Sequence, residues 1–164
     1  MIAIVDYDAG NLSSVANALK CIGAKAVVTR DPAEIRACGK VILPGVGAFG
    51  DAKGKLEQYE LVDVLKEAAF CGKPFLGICL GMQLLFDDSE ETPGVPGLSI
   101  LPGSIKRIPD GEGLKIPHMG WNSLEFLKGS RLMQDVPKEP FVYFVHSYYL
   151  EAKNPSDVLA CTEY

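Results

Sequence analysis

At 164 residues, 48% of them hydrophobic and 23% charged, the chain suits one domain that buries a core without disulfide or metal staples. Sixteen Lys and Arg against 21 Asp and Glu give a net charge of −5, which weighs against nucleic-acid binding, whose affinity comes largely from cationic phosphate contacts. Five cysteines with no C-x-x-C spacing and two distant histidines, His118 and His146, offer no zinc cluster, and no stretch resembles a signal peptide or a membrane span. A soluble, reduced, cytoplasmic protein is expected.

Ile2-Ala3-Ile4-Val5 is an unbroken apolar run, as in a strand covered on both faces. It ends in Asp6-Tyr7-Asp8-Ala9-Gly10-Asn11, where Asn11 suits a helix cap. Leu12, Val15, Ala16, Leu19 and Ile22 then recur at helical spacing, and Gly23 suits the C-terminal cap. Ala26–Thr29 predicts a strand, Pro32–Cys38 a short helix and Val41–Leu43 a third strand. After Pro44-Gly45-Val46-Gly47-Ala48-Phe49-Gly50 comes one longer helix with Leu56, Tyr59, Val62, Leu65 and Ala69 as its buried stripe. Phe75–Ile78 is a fourth strand. Strands alternating with helices in this way predict βαβ units and a parallel sheet.

Past Phe86 the pattern changes to short β-like runs between Gly and Pro: Leu98–Leu101, Ser104–Ile108, Ser123–Leu127, Phe141–Val145 and Val158–Cys161. These read as an antiparallel flank added to the parallel core. The fold class expected is α/β, a three-layer, doubly wound and mostly parallel sheet with that flank, in a single domain spanning 1–164.

The chemistry is concentrated in Pro74–Phe86. There a buried strand enters Gly77-Ile78-Cys79-Leu80-Gly81 and passes directly into a helix. G-x-C-x-G is the thiol counterpart of the nucleophile elbow, whose strained turn projects its central side chain from the sheet. Glycines flank the nucleophile because neighbouring backbone crowds the turn. A thiol at a helix N-terminus faces the positive end of the dipole, which favours the thiolate, and the Leu80 amide points where an oxyanion would form. Cys79 is therefore the candidate nucleophile, while Cys21, Cys38, Cys71 and Cys161 read as packing residues. Pro44-Gly45-Val46-Gly47 ends at the same carboxyl edge of the sheet, where open α/β folds place ligands. Its backbone amides offer a second oxyanion donor, although alone it is also an ordinary tight turn.

These strings, together with Pro117-His118-Met119-Gly120-Trp121-Asn122 and Tyr143-Phe144-Val145-His146-Ser147-Tyr148, resemble the class I glutamine amidotransferases over the whole chain. The resemblance is strongest to the branch that serves imidazole glycerol phosphate synthesis in histidine biosynthesis. It implies hydrolysis of glutamine to glutamate and ammonia through a thioester on Cys79. It further implies oxyanion donors at Leu80 and at Val46 or Gly47, and substrate contacts from Gly47, Gln83, Glu91, Ser147 and Tyr148. Ammonia would pass to a (β/α)8-barrel cyclase subunit facing Asn11, Pro117, Met119 and Trp121, with no cofactor and no metal.

Read from the residues alone, Gln83 is equally an ordinary solvated residue. Trp121, in a loop bounded by Pro and Gly, is a structural plug or an interface anchor. His146 reads better as a strand histidine bonded to backbone than as the base for Cys79, and His118 as loop structure or interface. The family's base is a histidine in a later His-Pro-Glu segment, which these 164 residues do not contain. A C-terminal truncation is therefore expected, with weak or absent glutaminase activity and a partly exposed core. A cysteine peptidase-like hydrolase on the same scaffold and a non-catalytic partner-binding module are the alternatives. The first is disfavoured because no histidine follows closely after Cys79.

Overall fold

The computed structural model describes residues 1–111 and 113–164. Its first sheet is built from β1 (Ile2–Val5), β2 (Ala26–Thr29), β3 (Lys40–Gly45) and β4 (Phe75–Cys79), in the order β2-β1-β3-β4 and all parallel. The helices α1 (Leu12–Cys21), α2 (Pro32–Ala37), α3 (Phe49–Gln58) and α4 (Val62–Phe70) connect these strands. β1 lies between two neighbours, and Ala3, Ile4 and Val5 are fully buried, so its run of aliphatic residues is covered on both faces. Ala3 and Val5, with Val41 and Leu43, pack onto Ile35, Phe49, Leu56, Leu65 and Ala68 from α2, α3 and α4 and onto Leu61 just before α4. Ile4 and Val28 look toward Ala16 of α1 on the opposite side. Helices on both faces of a parallel sheet are the expected doubly wound arrangement.

Caps agree with the sequence reading at both ends of α1. The Asn11 side chain accepts from the Ser14 amide at 3.2 Å, and Gly23 takes φ +71° just past the end. Ile22, however, is not part of a buried stripe. It is the C-cap of α1 and 76% exposed, and α1 has no fully buried residue.

The single long helix expected after Gly50 is in fact two. α3 stops at Gln58 and α4 starts at Val62. Between them Glu60 adopts φ +54°, and the Leu61 amide reaches back to the Leu56 carbonyl at 2.9 Å. This is a left-handed helix ending without its usual glycine, so no residue type announced it. The break moves the buried set from Ala69 to Leu61, Val64 and Ala68, while Leu56 and Leu65 stay inside.

After β4, the short helix α5 (Leu80–Gln83) leads to β5 (Asp88–Ser89), β6 (Gly103–Arg107), β7 (His118–Ser123), β8 (Glu125–Phe126), β9 (Phe141–His146), β10 (Tyr148–Ala152) and β11 (Ala160–Cys161). β6 pairs antiparallel with β10 and parallel with β5, β7 pairs antiparallel with β9, and β8 with β11. The flank is thus antiparallel apart from β5. Leu98–Leu101 forms no strand. Ser99 has φ +49°, and the amides of Leu98 and Ile100 bond the carbonyls of Leu84 and Leu85 at 2.8 Å. That segment folds back over the end of α5 and delivers Leu98 to the same core as Ile105. β4 forms one edge of the parallel sheet, with Leu76 and Ile78 exposed.

Candidate active site

β4 lies in register beside β3, with Ile78 opposite Pro44 and Cys79 opposite Gly45. At Cys79 the chain leaves the strand with φ 54° and ψ −119°, then enters α5. A non-glycine residue at positive φ stores about 1–3 kcal/mol of strain, and here it turns a free thiol out into an exposed position. The flanking glycines are steric requirements. A Cβ on Gly77 would lie 2.5 Å from the Met82 Cα, and one on Gly81 would lie 1.9 Å from the Leu43 carbonyl oxygen. The elbow anticipated from G-x-C-x-G is therefore present, although α5 is only one turn and offers less dipole than a full helix. Of the other four cysteines only Cys38 is buried, whereas Cys21, Cys71 and Cys161 are exposed and do not pack in the core.

The second turn begins where β3 ends. Tyr7 is fully buried, and its hydroxyl donates to the Pro44 carbonyl at 2.7 Å. A Cβ on Gly45 would fall 2.5 Å from the Tyr7 hydroxyl and 2.6 Å from the Gly81 amide nitrogen. The β1 extension, the end of β3 and the start of α5 therefore converge on one glycine. Burial, and then the nearby Cys79, raise the Tyr7 phenol well above its ordinary range, so it remains a donor. Val46 is exposed, and Gly47 stands at φ +100° in open space. Just beyond, the Glu91 carboxylate accepts from the Phe49 amide at 2.8 Å and the Thr92 hydroxyl from the Gly50 amide at 3.2 Å. Glu91 is thus anchored at the first turn of α3, two residues from Gly47.

Gln83 is 9% exposed, so it is not the solvated helix residue that the sequence left open. Ser147 accepts from the Ile108 amide through its carbonyl at 2.9 Å, and Tyr148 stands opposite Arg107 in the β6–β10 ladder. His146 bonds the Tyr148 carbonyl through Nδ1 at 2.8 Å and His118 Nδ1 through Nε2 at 3.3 Å. This is the backbone-bonded strand histidine anticipated. His118, by contrast, is no loop residue: it opens β7, is 3% exposed, and stacks on Phe144 at 4.6 Å and Tyr164 at 3.7 Å. Burial, and then the neighbouring His146, lower its basicity from the ordinary 6.5.

Trp121 also lies in a strand, where the sequence reading put it in a loop. Across β7 and β9, Met119 faces Val145, Trp121 faces Tyr143 and Ser123 faces Phe141. All of these but Ser123 are large, apolar or aromatic, and exposed, with Trp121 at 70% and edge-on to Tyr143 at 5.6 Å. A plug is excluded by that exposure. Asn11 and Pro117 are exposed as well.

The family model described as glutamine amidotransferase class-I matches residues 3–163. The chain belongs to the class I glutamine amidotransferase family. It is 52% identical over 164 residues to the imidazole glycerol phosphate synthase subunit HisH of Methanothermobacter thermautotrophicus, covering 100% of this chain and 80% of that protein. To the subunit of the same name from Moorella thermoacetica it is 51% identical over 163 residues, covering 99% and 77% respectively. Among solved structures it resembles a glutamine amidotransferase with a TM-score of 0.76 at 19% identity, over 98% of this chain and 79% of that one. A glutamine amidotransferase from Thermotoga maritima gives 0.61 at 19% identity, over 92% and 62%. At those identities the structural likeness speaks for the amidotransferase fold.

Two features around the candidate site went unread in the sequence, and both carried a period-2 signal. Ala3, Val5 and Tyr7 alternate along one face, which continues the strand pattern into what looked like turn chemistry. Phe141, Tyr143 and Val145 alternate likewise and complete the exposed face begun by Met119 and Trp121. No helix among the described residues is long and apolar enough to cross a membrane.

Proposed function

We propose that this chain is the glutaminase subunit of a cytoplasmic imidazole glycerol phosphate synthase, in histidine biosynthesis, with Cys79 as nucleophile. The observation that carries the reading is the exposed thiol at φ 54° between β4 and α5, beside the Pro44–Gly47 turn. The Cys79 sulfur attacks the side-chain carbonyl of glutamine, and the oxyanion accepts hydrogen bonds from the Leu80 amide and from Val46 or Gly47. Collapse breaks the carbon–nitrogen bond, releases ammonia carrying the proton that the Cys79 thiol gave up, and leaves a γ-glutamyl thioester. Water then attacks the thioester, giving glutamate and the restored thiol. Gly47, Gln83, Glu91, Ser147 and Tyr148 hold the substrate's amide, α-amino and carboxylate groups.

The general base is neither His118 nor His146. Both ring nitrogens of His146 and Nδ1 of His118 are engaged, by each other and by the Tyr148 carbonyl, and the His118 ring is buried in its stack with Phe144 and Tyr164. The partner is a (β/α)8-barrel cyclase subunit that receives the ammonia and docks against Asn11, Pro117, Met119 and Trp121. The exposure of an aromatic, depolarised strand face supports that assignment, because aromatic and Met side chains are enriched at interfaces.

A glutamine-derived diazo-ketone tests the reading. Mass spectrometry is expected to place one adduct on Cys79, lost in Cys79→Ser and reduced by excess glutamine. Labelling that persists in Cys79→Ser would overturn it.

A further inference from the structure

The turn beside Cys79 is held at two points and free between them. Upstream, Pro44 presents its carbonyl to the Tyr7 hydroxyl at 2.7 Å. Downstream, the Phe49 amide is bound to the Glu91 carboxylate at 2.8 Å. Between these clamps Val46 is exposed and a side chain on Gly47 would meet nothing within 4 Å. Packing therefore does not choose the orientation of the Val46 and Gly47 peptides. The hydroxyl of Tyr7 is also costly if its only task is to fill space, because a buried O–H must find an acceptor, whereas a phenyl ring would fill the same volume without that demand.

We propose that Tyr7 is a positioning residue: by fixing the Pro44 carbonyl from within the core, its hydroxyl sets the Pro44–Gly45 peptide and thereby aims the Val46 and Gly47 amides at the space over Cys79. Gly45 is the pivot. It stands opposite Cys79 in the β3–β4 register, and any side chain there would strike both the Tyr7 hydroxyl and the Gly81 amide. The carbonyl that the hydroxyl holds thus belongs to the residue just before the point where β3, β4 and α5 approach most closely. This role rests on the glutaminase reading and adds to it a residue that need not touch glutamine.

The test compares the unaltered protein with Tyr7→Phe, which keeps the ring and removes only the donor. Two reagents are used on Cys79: the glutamine-derived diazo-ketone and iodoacetamide. The ketone of the first sits where the oxyanion would form and is polarised there as the adjacent carbon gains a proton, loses N2 and bonds the sulfur. Displacement of iodide from the second places no glutamyl carbonyl there. In Tyr7→Phe the diazo-ketone rate, and kcat for glutamine in the complex with the cyclase, are expected to fall about tenfold, less than the loss of a whole oxyanion donor. KM and the iodoacetamide rate should stay near their original values. Equal diazo-ketone rates in the two proteins, or a parallel loss with both reagents, overturn the inference. Absence of any Cys79 adduct in the unaltered protein instead overturns the glutaminase reading, so the two failures are distinguishable.

Should Tyr7→Phe melt below the assay temperature, NMR of the unaltered protein decides. A slowly exchanging Tyr7 hydroxyl proton that persists in the diazo-ketone adduct, while the Val46 and Gly47 amides shift, supports the role. A hydroxyl proton in free exchange with water, or lost on labelling, overturns it.

Discussion

Gly45 and Cys79 stand side by side at the ends of β3 and β4, one fixed in size and the other in backbone conformation by the segments that meet there. Gly45 must lack a side chain because Tyr7 and Gly81 already occupy the space around it. Cys79 must take a left-handed backbone because the chain has to turn there from strand to helix. Strain and close approach are concentrated at one point of the sheet edge, where a reacting carbonyl can lie between the thiol and backbone amides.

Strain at Cys79 predicts a trade of stability against chemistry. Glycine adopts φ 54° without a Cβ penalty, and the thiol it replaces is exposed and makes no core contact. Cys79→Gly is therefore expected to unfold at a higher temperature, by roughly 1 kcal/mol of stability, while losing all diazo-ketone labelling. Thermal melts of Cys79→Gly and Cys79→Ala side by side check this. An alanine variant at least as stable as the glycine one would show that the backbone carries no penalty.

The glycines are not interchangeable. Gly81→Ala places a methyl 1.9 Å from the Leu43 carbonyl oxygen, and the backbones must separate to admit it, at about 3 kcal/mol or more. Gly54, inside α3, has nothing within 4 Å of its Cβ position, so Gly54→Ala should gain up to about 1 kcal/mol from helix propensity. Urea unfolding midpoints of the two variants are expected to move in opposite directions.

His118 makes stability depend on pH near neutrality. Its folded-state affinity for a proton is lowered by burial and by His146, so below about pH 6.5 the unfolded chain binds the proton more readily. Its contribution is intact above that pH and is lost as the pH falls toward the depressed folded value, with a slope of at most about 1.4 kcal/mol per pH unit. Melting temperatures between pH 7.5 and 5 should decline, and His118→Phe should flatten the decline. The carboxylates Asp8, Glu90 and Asp110 are lowered from ordinary values that are already acidic. Their effects therefore appear only at lower pH.

Trp121 should matter to assembly and hardly to folding. Being 70% exposed, it loses little burial on truncation, and its edge contact with Tyr143 is worth about 0.5–1.5 kcal/mol. Against the cyclase subunit, Trp121→Ala is expected to weaken binding by about 2 kcal/mol, roughly thirtyfold. Calorimetric titration measures it. An unchanged dissociation constant would remove Trp121 from the interface.

The primary structure by itself specified the parallel core and the glycine-flanked turn at Cys79, because both are written locally. Continuous aliphatic runs, helical spacing, the Asn11 and Gly23 caps and the pair of glycines around Cys79 each act within a few residues. What depends on meeting a distant segment was decided only by the tertiary structure. The α3–α4 break sits on a glutamate held left-handed by a capping bond to Leu56. Leu98–Leu101 surrendered its extended form because its amides found Leu84 and Leu85. Trp121 and His118 became strand residues only by pairing with β9, whose register puts one beside Tyr143 and the other beside His146. The Tyr7 hydroxyl reached Pro44 across 37 positions of chain. A short window of sequence contains the donor but not the acceptor, and folding is what brings the two within hydrogen-bond distance.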